Sequence, residues 1–368
     1  MNFSYSEEQQ MLAETVTRWL AAGTTKQRGF SPERWGELAD LGLLGLNVGE
    51  EHGGLGGTPV ETLIVMQEFG RALFAQPFVS TAVFAAALLG NTGSTAQRKE
   101  LLPRIVDGSL RVAVATLEPG ARFDLADIST KAAKRDHSYV LNGRKAVVLH
   151  GDSAHVLIVC ARTSGGQHDQ DGLTLFLVDA TAAAVTVRGF PTLDGQRAAE
   201  ISLTDVEVPL DCVLGEIGLG YVPLEWAVDR GIAALCAEAV GAMEKLMELT
   251  AEHLRTRKQF GQPIGRFQAL QHRLADMQIA VEQARSMALQ AAALIDHPQR
   301  NERRKALSAA KAMIGRSGQF VGQQAVQLHG GMGMTAELAV GNYFKRLMCI
   351  DMTWGNTDHH VELYGDLL

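Results

Sequence analysis

The order of residue periodicities predicts an α+β chain in three parts: an N-terminal α-helical domain at 1–111, a middle antiparallel β-domain at 112–220 and a C-terminal four-helix-bundle domain at 221–368. Three observations carry this prediction. Apolar residues recur at helical spacing up to about Leu110. Short β-branched runs follow, many of them alternating, parted by turn pairs such as Asn142-Gly143 and Asp171-Gly172. Helical spacing then returns at Pro223 and persists in three long runs, 233–254, 267–295 and 301–328. With 368 residues, 46% of them hydrophobic, the chain is long enough for two or three domains with cores of their own.

From residue 2 to about 110 the chain reads as helices. Ser6 and Gln9 form a capping box in front of Met11, Leu12, Val16, Trp19 and Leu20. Ser31-Pro32 opens a second helix that ends at Gly42. Gly53 to Gly57 invites comparison with a phosphate loop, but no clear strand precedes it and no Lys-Ser/Thr follows, so it reads as a turn. Thr58-Pro59 starts a third helix, 79–89 is a further apolar one, and 95–105 is amphipathic. In the middle third, strands are expected at 112–117, 139–141, 145–149, 156–161, 173–178, 185–188 and 199–208, ending near Gly215 to Gly220.

Composition excludes several classes. A formal net charge of −7 without a long basic run argues against bulk nucleic-acid binding. Cys160, Cys212, Cys236 and Cys349 lack the paired spacing of a zinc or dithiol motif, so they read as reduced core thiols and no metal site is expected. The first ten residues lack a basic region followed by an apolar one, and no apolar run approaches the roughly 20 residues of a membrane span, so a cytoplasmic protein is expected.

The stretch Arg257-Lys258-Gln259-Phe260-Gly261, with Gln268 beyond it and Gln327-Leu328-His329-Gly330-Gly331-Met332-Gly333 near the C-terminus, sets a basic side chain, a turn glycine and a glycine bend among long helices. That combination suits a phosphate-bearing cofactor. Together with 117–124 (Leu-Glu-Pro-Gly-Ala-Arg-Phe-Asp) and 141–145 (Leu-Asn-Gly-Arg-Lys), in this order and spacing, it resembles the flavin-dependent acyl-CoA dehydrogenase family over essentially the full length. The run 233–241 and the tail Asp358-His359-His360 look most like the small subunit of pimeloyl-CoA-type dehydrogenases.

The resemblance implies FAD as hydride acceptor, an acyl-CoA thioester losing its α-proton to a protein base, electron-transfer flavoprotein as electron acceptor, and a tetramer. By the same resemblance Arg257 reaches an FAD pyrophosphate across a subunit interface, a task for which a planar guanidinium is well shaped. Phe260, Gln268, Gln327, Gly330 and Gly331 match neighbouring cofactor contacts, and Thr357 matches a flavin contact. The plainer readings are a solvated arginine at a helix end and a helix C-cap at Gly330-Gly331.

The departures from the family pattern bear on mechanism. Leu117, Arg122 and Phe123 replace small or hydroxyl residues, and Val148-Leu149-His150 replaces a strand with a threonine; leucine has no hydroxyl to offer a flavin. Gly355 stands where many members carry the glutamate base. Other branches place that base early in the first bundle helix, where Asp229 is the nearest carboxylate and Glu225 lies one turn before it. Both also read as acids of a first helical turn, facing the helix dipole. Three functions follow as expectations: a subunit completing a partner's FAD site, a self-sufficient homo-oligomeric dehydrogenase using Asp229 or Glu225, and a non-catalytic acyl-CoA-binding or assembly subunit.

Overall fold

The computed structural model describes residues 5–23, 29–335 and 337–368; the helix expected at 2–4 and the segment 24–28 lie outside these. Helices come first: α1 (Glu7–Ala22), α2 (Pro32–Asp40), α3 (Pro59–Ala72), a π-helical stretch (Phe78–Ala85) running into α4 (Ala86–Thr92), and α5 (Thr95–Val106). Both bonds of the α1 capping box form, Gln9 N to Ser6 Oγ at 3.2 Å and Ser6 N to Gln9 Oε1 at 3.1 Å. At 78–85 the apolar run gives no period to read, and the helix there is wider than the α-helix expected. The glycines of 53–57 fold back on 45–49 through backbone bonds, among them Gly57 N to Leu46 O at 2.7 Å, so this is a turn.

Eight strands follow: β1 (Val112–Ala115), β2 (Lys131–Arg135), β3 (Ser138–Leu149), β4 (Val156–Arg162), β5 (Leu173–Asp179), β6 (Val185–Pro191), β7 (Arg197–Pro209) and β8 (Val213–Leu214). They form one sheet in the order β6-β7-β3-β2-β4-β5-β8, with β1 pairing β4. The pairing is antiparallel except that β1 and β2 each meet β4 in parallel. Two expectations need correction. Asn142-Gly143 is no hairpin turn but a bulge within the single strand β3, with Asn142 Nδ2 bonded to Asp205 Oδ1 at 3.0 Å. The charged strand β2 carries no apolar alternation and escaped the sequence reading.

The C-terminal part comprises α6 (Tyr221–Thr256), a two-stranded hairpin of β9 (Lys258–Gln259) and β10 (Gln262–Pro263), α7 (Gln268–Leu294), α8 (Arg300–His329), α9 (Val340–Met352) and α10 (Thr357–Asp366). By contact density the chain divides into two units: Met1–Lys26, Pro59–Phe74 and Ile232–Leu368 form one, Gln27–Thr58 and Ala75–Gly231 the other.

In the sheet unit, Leu141, Leu157, Val159, Phe176 and Ile201 form the centre of the core. The buried Arg162 guanidinium donates to the carbonyls of Ala126, Ile128, Gln167, Asp169 and Asp171, tying two long loops to β4. In the bundle unit, α3 meets α6 backbone to backbone. A Cβ on Gly70 would stand 1.9 Å from the Glu238 carbonyl, and one on Gly241 1.8 Å from that of Gln67. The same stretch of α6 holds α9 through a buried bidentate pair, Arg346 to Glu238 at 2.6 Å on both arms. All four cysteines are free; burial raises Cys160 to about 11 and Cys236 to about 12, so both stay inert thiols. Among the described residues no helix is long and apolar enough to cross a membrane, and no cluster of metal-ligating side chains occurs.

Candidate functional site

At one end of the bundle unit, three element ends converge. α6 finishes at Thr256, the β9–β10 hairpin turns, and α7 starts at Gln268, while α8 returns to end at His329. The imidazoles of His253 and His329 stack with centroids 4.4 Å apart, which joins the segment of Arg257 to that of Gly330. The structure therefore brings together Arg257, Phe260, Gln268, Gln327, Gly330 and Gly331, and leaves all six exposed. Phe260 forms the hairpin tip at φ +53° with 90% of its surface exposed, its ring edge-on to that of Phe267 at 6.0 Å. The Arg257 guanidinium makes no hydrogen bond or ion pair with a described residue. Gly330 has φ +61°, a conformation that favours glycine, and caps α8 through its N–H on the Gln327 carbonyl. A guanidinium without a protein partner, exposed amide side chains and the N-terminus of a long helix are donors that fit a pyrophosphate.

Thr357 belongs to a different place. It opens α10 and donates its hydroxyl to Asp351 Oδ1 at 2.8 Å, packed on Gly315 of α8, where a Cβ would meet Thr357 Oγ1 at 2.3 Å. Gly315 is fourteen residues before His329 along α8, or ~21 Å at 1.5 Å per residue. The turn before Thr357 is closed by the fully buried Lys311, whose Nζ donates to the carbonyls of Asp351 at 2.8 Å and Gly355 at 2.6 Å. Burial lowers Lys311 to about 8. His360 is buried too and is lowered to about 3 by burial, then by Lys311 and His359, so it is neutral near pH 7; its Nε2 lies 3.1 Å from the Trp354 carbonyl.

This turn excludes a base at 355. Gly355 sits at φ +113°, and a Cβ there would fall 2.5 Å from His359 Cδ2 and 2.6 Å from His360 Nε2. Both backbone and neighbouring rings therefore bar a glutamate.

In the sheet unit, Glu118 and Lys145 form a buried pair at 2.7 Å. Burial opposes the Glu118 charge, but Lys145 and bonds from Ser129 and Thr130 outweigh it and hold the carboxyl at about 2. The pair anchors the loop after β1, and the Leu117 carbonyl accepts from Ala146 N at 2.8 Å in the second bulge of β3. Around this loop Arg122, Val147 and His150 have φ of +49°, +48° and +53°, and His150 Nε2 lies 3.2 Å from Gln196 Oε1. The side chains of Leu117 and Leu149 bring no hydroxyl, so this half of the donor set does not fit a flavin ring as well as the bundle end fits a phosphate.

Asp229 and Glu225 lie one turn apart on α6 and are buried, 2% and 1% exposed. Their reading as first-turn acids is corrected: α6 begins at Tyr221 and has no acidic residue in its first turn. Tyr221 Oη donates to Glu225 Oε1 at 3.4 Å, and the Arg230 guanidinium covers the Trp226 ring at 4.1 Å.

Sequence reasoning gave no individual role to Glu118, Lys145, Lys311 or His253. A usable signal existed for two of them: Lys145 pairs across β3–β7 with the core residue Ile201, and Lys311 interrupts the small and apolar stripe Leu307, Ala310, Ile314 of α8.

Models of the acyl-CoA dehydrogenase N-terminal, middle and C-terminal domains match residues 6–109, 113–206 and 220–366. Acyl-CoA dehydrogenase FadE12 of Mycobacterium tuberculosis is 31% identical over 92% of this chain and 90% of its own length. The L-prolyl-[peptidyl-carrier protein] dehydrogenase of Pseudomonas fluorescens is 32% identical over 99% of this chain and 98% of its own. Butyryl-CoA dehydrogenase from Megasphaera elsdenii superposes with a TM-score of 0.92 at 25% identity, covering 100% of this chain and 99% of that one. The chain thus belongs to the acyl-CoA dehydrogenase family, FAD-dependent oxidoreductases that act on CH–CH groups.

Proposed function

We propose that this chain is the smaller subunit of a hetero-oligomeric acyl-CoA dehydrogenase of the cytoplasm, in which its bundle end completes the FAD site of a larger partner. One observation carries the reading: the donors of the Arg257 to Gly331 end are exposed and intact, whereas Gly355 is closed to a base by its own backbone and by His359 and His360. FAD, when bound, accepts the hydride from the β-carbon of the thioester. Arg257 neutralises pyrophosphate charge, Phe260 packs on the adenosine side, and the amides of Gln268 and Gln327 and the backbone of Gly330 and Gly331 orient the cofactor. Thr357 would contact a flavin only in the self-sufficient reading below, where the chain holds one of its own.

The α-proton then goes to a base outside the 351–360 turn. A second reading, favoured by the two buried carboxylates on one face of α6, makes the chain a self-sufficient homo-oligomer in which Asp229 or Glu225 takes that proton. A third, a non-catalytic acyl-CoA-binding or assembly subunit, keeps the fold without chemistry. Electrons leave to electron-transfer flavoprotein in the first two. The thioester is carried by CoA, with a dicarboxylyl or medium-length acyl group; because one relative is named for a carrier-protein substrate, carrier-bound thioesters belong in the assay.

Flavin content decides between these. The heteromer predicts a colourless chain alone and a yellow complex with its partner, in which Arg257→Ala lowers FAD retention at least tenfold and Asp229→Asn leaves anaerobic bleaching intact. Yellow protein purified alone, bleached by acyl-CoA and silenced by Asp229→Asn, establishes the homo-oligomer instead. Thioester binding without bleaching, partner present, establishes the third reading.

A further inference from the structure

The strongest feature left unused is the stacked pair His253 and His329. Each ring sits in the last turn of its helix, α6 and α8, and each directly adjoins one arm of the phosphate end. Arg257 N donates to the His253 carbonyl at 2.9 Å, and the Ile264 N–H on the Arg257 carbonyl, also 2.9 Å, closes the hairpin. His329 immediately precedes Gly330 and donates from Nδ1 to the Ala325 carbonyl at 2.8 Å, which fixes the ring's orientation. His329 is buried and His253 half-buried, their planes 30° apart. Among the described residues, no other ring contact joins the arm of Arg257 to the arm of Gly330.

We propose that the His253–His329 stack is a positioning element of the phosphate end, holding hairpin and glycine bend in one arrangement while His253 is neutral and releasing it when His253 is protonated. This rests on the reading above that the end holds an FAD pyrophosphate. The physical reason is local charge. A helix C-terminus favours a cation, but burial, then His329 and then Arg257, oppose it and move His253 below its ordinary value of 6.5. A proton is accommodated once the ring moves to solvent, which separates it from His329. The sign follows: the folded form binds fewer protons than the open form, so the stack's contribution is complete above pH 6.5 and falls as pH drops below it.

Hydrogen exchange tests the stack without any flavin. Protection of the amides of Arg257, Ile264 and Gly330 is compared at matched intrinsic exchange rates from pH 8 to 5 in wild type, His253→Phe and His253→Gln. The aromatic variant keeps the stacking face and cannot titrate. Wild type is expected to lose protection in both segments together below pH 6.5; His253→Phe keeps it throughout, and His253→Gln lacks it throughout. Equal profiles in wild type and His253→Phe, or full protection in His253→Gln, overturn the proposal. Flavin retention by the yellow holoprotein, measured over the same pH range, follows the same order. If Arg257→Ala leaves retention unchanged while the exchange pattern holds, the cofactor reading fails and the stack stands; if Arg257→Ala abolishes retention while exchange is flat, only the stack fails.

Discussion

At the scale of single residues, Lys145, Glu118 and His360 are buried, and the partners of each dictate its response to change. Lys145 is buried against Glu118 at 2.7 Å, so Lys145→Met leaves a carboxylate without its countercharge in the sheet core. A loss of about 3–5 kcal/mol is expected in urea unfolding, whereas Lys131→Met on exposed β2 changes less than about 0.5. Glu118, held at about 2 in the fold against its ordinary 4.5, contributes fully above pH 4.5, and that contribution is lost as pH falls to about 2. His360 acts at a higher pH. Lowered from 6.5 to about 3, it is a site where the unfolded chain binds the extra proton, so stability drops by up to about 1.4 kcal/mol for each pH unit below 6.5. Urea midpoints followed by Trp354 fluorescence should show this slope in wild type and lose it in His360→Gln.

Elements decide what each residue can do, and two turns make the contrast. The turn 351–357 is rigid because Lys311 gathers two of its carbonyls and Asp351 takes the Thr357 hydroxyl. Gly355→Glu therefore does not restore a base. It is expected to cost about 1–3 kcal/mol for the positive φ alone, plus displacement of the His359 and His360 rings, with no gain in anaerobic flavin bleaching. The β9–β10 turn is the opposite case. Phe260 is 90% exposed, so Phe260→Ala should leave the unfolding free energy within about 0.5 kcal/mol of wild type while reducing flavin content in the yellow complex. Element existence was readable wherever apolar period and caps agreed, as in α1, α2 and α5. It failed at β2, whose Lys-Ala-Ala-Lys-Arg composition gives no strand signal, and at Asn142-Gly143, where a turn dipeptide served a bulge because β7 continues opposite it.

For the molecule as a whole, the prediction concerns assembly. α7 buries little besides Met277, Val281 and four alanines, and Ile279 on it is 57% exposed. Ile279 is where the proposed function puts a subunit contact on this helix. Ile279→Glu should shift the assembly to smaller species in sedimentation without changing helical content. The family itself was legible from the spacing of four short motifs. The condition of the site was only partly so: the sequence shows that 355 is a glycine, and the structure shows that nothing larger fits there.

The residue order by itself determined the three-part sequence of helices, strands and helices, the caps, and the family motifs from Arg257 to Gly331, because these depend on local period and on short stretches of chain. Tertiary structure decided the rest, since it depends on which distant segments meet. It placed Thr357 and the phosphate end roughly 20 Å apart along α8, buried Asp229 and Glu225 that sequence had assigned to a first turn, paired Glu118 with Lys145, and stacked His253 on His329 across 76 positions of chain.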